Sequence, residues 1–260
     1  MITPGRPFEI VENTASQRKT STALHFGELR QYGSDAIGRR ASKPDLTFFY
    51  LQDFITAKTE GDLEHKYISS SFKFNPEIEA ALIEAKYRSE EPTAYRVEEL
   101  LGMILGHAKS LMEAKQGNNA PIDVTITIPS HYGYKEREMI LDAAEIAGLK
   151  VEFLVHENTA AAIAYAISRP VSNDTQIFMY YNMGSTSTKV SLVEYATVTK
   201  RKEPTLHLNI LGEVSVDDLG GRAIDIVLAD LLMDRYNALD ARKDKPDIRG
   251  NKRVVQRFLK

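Results

Sequence analysis

The sequence predicts an α/β fold, and three observations carry that prediction. Strand-like and helix-like runs alternate from Asp123 to Ile167, which is the signature of strands covered by helices. A hairpin follows between Ile177 and Tyr195, and a third strand-like run extends from Leu206 to Leu211, adding antiparallel pairs. The chain has 260 residues, 43% of them hydrophobic, so it can bury a full core in one large or two smaller domains. No internal repeat at solenoid spacing is present.

In chain order, Phe8 to Val11 and Ala23 to Phe26 read as short strands, and Tyr32 to Arg40 as a turn followed by a short helix. Pro44 suits a helix start, and Leu46, Phe49, Tyr50 and Phe54 repeat at helical spacing. The aromatics from Phe48 to Phe54 read as core rather than as a binding face. A strand over Tyr67 to Phe74 and a helix from Pro76 to about Ala85 come next. A long helix runs from Val97 to about Ala114. Its buried face carries Leu100, Leu101, Ile104, Leu105, Ala108 and Leu111, and the Gln116 to Pro121 stretch stops it.

Asp123 to Ile128 is a strand rich in β-branched residues, ended by Pro129, which cannot donate to a sheet ladder. Lys135 to Ala147 is a helix, and Gly148 suits the left-handed position beyond its end. Val151 to Val155 is a strand and Thr159 to Ile167 an alanine-rich helix. Ala223 to about Tyr236 is a further helix. Residues 240–251 are charged and loop-like, and a last helix starts at Arg253. The weakest packing boundary is Arg169 to Gln176, which divides the chain into residues 1–170 and 171–260.

Composition narrows the function. The net charge is −3 with no long charge run, so nucleic acid is not an expected partner. With no cysteine, disulfides, thiolate zinc sites and thiol catalysis are excluded, while the redox compartment stays open. No apolar run approaches the roughly 20 residues of a membrane span. The opening Met-Ile-Thr-Pro-Gly is not built like a signal peptide. No His/Asp/Glu cluster has metal-ligand spacing, so no protein-ligated metal is expected.

The central hairpin has a hydroxyl-rich tip. Gly184 lets the backbone approach a ligand, and Ser185, Thr186 and Ser187 offer hydroxyls and N–H groups. Two readings stand: a cradle for phosphate oxygens, or an ordinary hairpin turn. Neither Ser185 nor Ser187 has a histidine nearby in sequence, which argues against a hydrolase serine. Arg137 is either a solvated charge on a helix face or part of a hinge. His156 reads as a hydrogen-bonded histidine rather than a ligand, and Asp217-Asp218 as a turn leading into a helix.

Ile128-Pro-Ser-His-Tyr, Arg137, Ala147-Gly-Leu, and His156-Glu-Asn-Thr-Ala-Ala-Ala-Ile-Ala-Tyr165 together resemble the Hsp70 nucleotide-binding domain. So do Asp218-Leu-Gly-Gly221 and Asn251-Lys-Arg253. Pro4 to Val11, Arg18-Lys-Thr20 and Tyr181-Asn-Met-Gly184 resemble the large members of that family, the Hsp110/Grp170 group.

The resemblance implies an actin-like ATPase fold, two lobes around a nucleotide cleft, incomplete at both ends. Residues 1–170 would be lobe I, lacking its first strand and phosphate loop, and 171–260 part of lobe II. It implies ATP or ADP with Mg as ligand, weakly held or absent in this stretch. Asn182, Gly184, Ser185, Thr186 and Ser187 would line the phosphates, with the Gly220 and Gly221 pair on the facing side of the cleft. Pro129, Arg137 and Glu157 match an interlobe hinge, with a buried pair between Arg137 and Glu157. It further implies a chaperone or co-chaperone of protein folding and the stress response. Its partners would be an Hsp70-type chaperone, on which it promotes nucleotide exchange, and unfolded clients held by regions outside this chain. The location implied is the endoplasmic reticulum lumen, with the cytoplasm as alternative.

Departures from the family pattern weigh on catalysis. Gln52 aligns with the catalytic lysine, Asn182 and Lys189 with two aspartates facing the magnesium shell, and Asn158 with a proline. Losing an electrostatic partner of the transferring group typically costs on the order of 10²–10³ in rate. At most a weak ATPase is expected. The alternatives are an ordinary ATP-hydrolysing Hsp70 chaperone and a pseudo-domain that binds no nucleotide.

Overall fold

The structure is a computed structural model, and it describes residues 9–59, 61–64, 71–88, 90–117, 122–168, 174–200 and 203–259. The chain divides into two compact units: 1–124, 133–152 and 229–260 in the first, 125–132 and 153–228 in the second. The architecture is α/β throughout.

In the first unit, β1 (Ala23–Phe26) is flanked antiparallel by β2 (Arg30–Tyr32) and β3 (Thr47–Phe49). All four β1 residues are buried, and Phe26 meets Phe48 edge-on at 5.1 Å between centroids. The helix α1 (Gly33–Arg39) closes that sheet through Ala36, which packs with Ala23 and Phe49. α2 (Leu51–Thr56) buries Leu51, Phe54 and Ile55, and the four-residue α3 (Gly61–Glu64) follows it. A second three-stranded sheet comprises β4 (Ser71–Asn75), β5 (Ala80–Ala85) and β6 (Thr93–Arg96), in the order β4-β5-β6.

The long helix α4 (Val97–Gln116) opens with the Glu99 carboxylate accepting the Arg96 N–H at 2.7 Å, which satisfies a donor at the helix start. It packs on α5 (Tyr134–Ile146). Gly148, at φ 67°, ends α5 as expected, its N–H donating to Glu145 O. α8 (Lys252–Phe258) is capped by Asn251, whose side chain accepts from the Arg253 and Val254 N–H groups.

β7 (Asp123–Ile128) pairs with β8 (Lys150–His156), and α6 (Glu157–Ser168) follows directly. The second unit is dominated by β9 (Gln176–Met183), β10 (Ser187–Lys200) and β11 (Glu203–Asp217), an antiparallel meander in the order β11-β10-β9. A bulge lies opposite the Leu192/Val193 step, where pairing jumps from Gly212 to Ile210. One face of this sheet packs Val193, Tyr195, Phe178 and Tyr180 against Ala162 and Tyr165 of α6. Ile177, Met179 and Tyr181 alternate onto the other face and are exposed. After β11 comes α7 (Gly221–Asn237).

Several expectations need correction. Residues 76–85 are not helical: a turn with Glu79 at φ 47° leads into β5, which buries Ala81, Ile83 and Ala85 in strict alternation. Pairing on both sides outweighs the helix preference of the alanines. The 44–54 stretch is not one helix, because Thr47–Phe49 is drawn into β3, and Tyr50 at φ 58° separates it from α2. Glu9 to Val11 form no strand. Phe8, Tyr67 to Ser70, 118–121 and 169–173 lie outside the described residues.

Candidate functional site

Three residues, Gly184 to Thr186, join β9 to β10. The Gly184 N–H donates to Ser187 O at 2.9 Å and closes the tip. The Gly184 and Ser185 carbonyls accept the N–H groups of Gly221 (3.0 Å) and Arg222 (2.8 Å), the first residues of α7. Thr188 Oγ1 donates to Leu219 O at 2.6 Å. A Cβ on Gly220 would lie 2.4 Å from Ser185 O, closer than atoms can approach, so glycine is required by contact. The Leu219 to Arg222 segment therefore lies flat on the tip.

That packing decides which groups are available. Two N–H groups at the start of α7 are taken by tip carbonyls. The hydroxyls of Ser185, exposed, and Thr186, half-buried, have no hydrogen-bond partner among the described residues. These hydroxyls can donate to or accept from a ligand.

Below the tip, three consecutive residues at the β8–α6 junction grip the sheet. Lys189 Nζ lies 2.5 Å from Glu157 Oε2. Asn158, 3% exposed, donates from Nδ2 to Ser191 Oγ at 2.8 Å, and Ser191 donates to Glu213 Oε1 at 2.8 Å. His156 Nδ1 shares a 3.1 Å hydrogen bond with Glu213 Oε2. Lys189 and Ser191 alternate on β10 with Val193 and Tyr195, and Ser191 pairs with Glu213 across the ladder, so all these groups reach the covered face. Farther along β11, Ser215 hydrogen-bonds His131 Nδ1 at 3.0 Å, and Asp217 lies 3.6 Å from its Nε2.

The sequence-predicted residues are distributed as follows. Gln52 is exposed on α2 in the first unit, and Arg137 is half-buried on α5 in the same unit. Pro129 and Glu157 belong to the second unit, as do Asn182, Gly184, Ser185, Thr186, Ser187, Gly220 and Gly221. Asn182 pairs with Lys189 across β9 and β10. The Glu157 carboxylate is engaged by Lys189. Gly220 and Gly221 lie against the tip, where the Gly221 N–H donates to Gly184 O and Gly220 is in contact with Ser185. Ser191 and Glu213 went unnoticed in sequence, although their alternation on paired strands was the available signal. His156 is hydrogen-bonded, as expected.

The chain matches the family model described as Hsp70 protein over residues 2–260. The chain belongs to the Hsp70 family. Hypoxia up-regulated protein 1 of Xenopus laevis is 35% identical over 271 residues, covering 100% of this chain and 40% of its own length. The protein of that name from Danio rerio is 35% identical over 269 residues, covering 100% and 27%. The one from Homo sapiens is 30% identical over 271 residues, covering 100% and 26%. The chain thus spans between about a quarter and two-fifths of the length of these relatives. Membership of the Hsp70 family makes its α/β architecture one of the actin-like ATPase type.

The tip suits one part of an Hsp70 ligand and not another. Two unpartnered hydroxyls on a tip fixed by hydrogen bonds fit phosphate oxygens. A magnesium shell does not fit: position 182 offers a neutral amide, and position 189 a cation already neutralised by Glu157. Among the described residues no group of three His, Cys, Asp or Glu is placed to hold a metal ion. Among the described residues no helix is long and apolar enough to cross a membrane.

Proposed function

We propose that this chain is nucleotide-binding structure from a large Hsp70-type chaperone, with residues 1–170 as lobe I and 171–260 as part of lobe II. In this reading the Gly184 to Ser187 tip holds nucleotide phosphates, weakly in this chain alone. The observation that supports it is the pair of free hydroxyls at Ser185 and Thr186 on a tip clamped by Gly220 and by Glu157–Lys189. Pro129, Arg137 and Glu157 act as the hinge, with Glu157 working through Lys189. ATP or ADP with Mg is the ligand of the domain, and Mg is poorly ordered by these residues. Gln52 supplies no cation to the transferring phosphoryl group, so hydrolysis is slow. The protein serves as an exchange factor for an Hsp70 partner in the endoplasmic reticulum lumen, with clients held outside this chain.

A nucleotide-free reading has one observation in its favour: the first N–H groups of α7 are spent on tip carbonyls, which removes donors from the cradle.

The test compares this chain, alone and extended at both ends, in two assays. One is single-turnover ATP hydrolysis, with and without Gln52→Lys. The other is release of labelled ADP from an Hsp70-type chaperone. The expected result is hydrolysis far below that of an ordinary Hsp70, raised by Gln52→Lys, together with faster ADP release on adding the extended form. Ordinary turnover would install the ATP-hydrolysing alternative, and unchanged ADP release would end the exchange reading.

A further inference from the structure

Two routes leave the tip and meet again below it. The first is β10, which begins at Ser187 and carries Lys189 and Ser191 on one alternating face, with Ser191 1% exposed. The second starts at the Leu219 to Arg222 segment, hydrogen-bonded onto the tip, and runs back along β11 to Glu213. Ser191 and Glu213 face each other in the β10–β11 register, and the Ser191 hydroxyl donates to Glu213 Oε1 at 2.8 Å. A displacement of the tip is passed to this pair along both strands.

From that pair, bonds cross to the β8–α6 junction. Asn158, 3% exposed, donates from Nδ2 to Ser191 Oγ at 2.8 Å, and His156 Nδ1 lies 3.1 Å from Glu213 Oε2. The polarity of the network is fixed. The one proton of Ser191 is directed at Glu213, so its oxygen accepts from Asn158. Carboxylate oxygens accept, so His156 Nδ1 supplies the proton of the last bond. Asn158 stands where the family pattern has a proline, which carries no side-chain donor, so the bond to Ser191 belongs to this sequence. A hydrogen bond of this length is gone once its atoms part by roughly 0.8 Å. In a close-packed interior such a network follows the strands as a unit or breaks.

We propose that Ser191 and Glu213 are positioning residues, which convey the state of the tip to Asn158 and His156 at the start of α6. The inference rests on the reading of the tip as a phosphate site. Phosphate held at Ser185 and Thr186 draws the tip toward the ligand, and with it the first residues of β10 and the Gly220 to Arg222 segment. Ser191 and Glu213 follow, and the β8–α6 junction moves with them or loses its bonds. What is transmitted is position; Ser191 and Glu213 act through the tip and do not hold the ligand themselves.

The test titrates ATP into the isotope-labelled chain and follows three sets of resonances: the tip amides of Ser185 and Thr186, the side-chain amide of Asn158 and the ring of His156. All three are expected to move with one midpoint. In Ser191→Ala the tip amides still move and the Asn158 signal stays still; Ser191→Thr, which keeps the hydroxyl, restores it. Glu213→Leu removes both acceptors at similar volume and silences His156. The Glu213 side chain is 17% exposed, so Glu213→Leu decides the matter if Ser191→Ala fails to fold. Movement of the tip with Asn158 and His156 silent in the unaltered chain overturns the relay and leaves the phosphate reading standing. So do junction signals that respond in both variants as they do in the unaltered chain. Silence at the tip itself ends the phosphate reading, and the relay with it.

Discussion

The ammonium of Lys189 lies 2.5 Å from the carboxylate of Glu157, with the lysine side chain 12% exposed and the glutamate 31%. Lys189 lies on β10, the strand that starts at the tip, and Glu157 opens α6, so the pair ties α6 to that strand. Glu157→Ala leaves a mostly buried ammonium without its partner, at a cost of about 1–3 kcal/mol. The partial exposure of Glu157 keeps this below the cost of breaking a fully buried pair. A chain of this size loses roughly 2–4 °C of Tm per kcal/mol. Adding Lys189→Met to Glu157→Ala should recover part of the loss, and Arg137→Ala should leave the coupling unchanged. An unaltered melting temperature in Glu157→Ala would remove the pair from the account.

Gly220→Ala should be far more disruptive than Gly212→Ala. At 220 the new methyl collides with the Ser185 and Gly184 carbonyls, whereas at 212 it meets nothing within 4 Å. Overpacking of this kind costs about 1–3 kcal/mol. Amide spectra should show the shift at Gly184 to Thr186. Equal melting temperatures for the two variants would contradict the packing.

Tyr195 gives a pH prediction. It is fully buried, its hydroxyl donates to Ala162 O at 2.8 Å, and it lies 2.6 Å from the Tyr180 hydroxyl. Burial, with the Tyr180 hydrogen bond, pushes its phenol well above the usual tyrosine range. Above pH 10 the unfolded state releases this proton and the folded state keeps it, so stability falls as pH rises. Absorbance titration of the 12 tyrosines should show one that ionises only as the chain unfolds. Tyr195→Phe should lower stability at neutral pH and flatten the alkaline decline. Ionisation of all tyrosines near pH 10 in the folded chain would refute this.

Local chemistry made much of the fold legible. β1 and β7 were read with their observed ends, because apolar or β-branched residues form short runs and Pro129 stops the second. Gly148 marked the end of α5 by the one property glycine has there, a positive φ. The 76–85 stretch was not legible, since Ala80, Ala81 and Ala85 favour a helix until β4 and β6 pair with them. At the site, the hydroxyl-rich tip was visible because its residues are consecutive. The clamp was not: Glu157 and Lys189 are 32 residues apart, Asn158 and Ser191 33, and it is the packing of α6 on the β9–β11 sheet that brings them together.

Titrating ATP into the isotope-labelled chain while following its amide resonances tests most directly whether the tip is a phosphate cradle. The prediction is weak, saturable binding, with the largest shifts at Ser185 and Thr186 and their loss in the Ser185→Ala/Thr186→Ala variant. Saturation with no movement at the tip, or sub-micromolar binding that survives the double substitution, would contradict it.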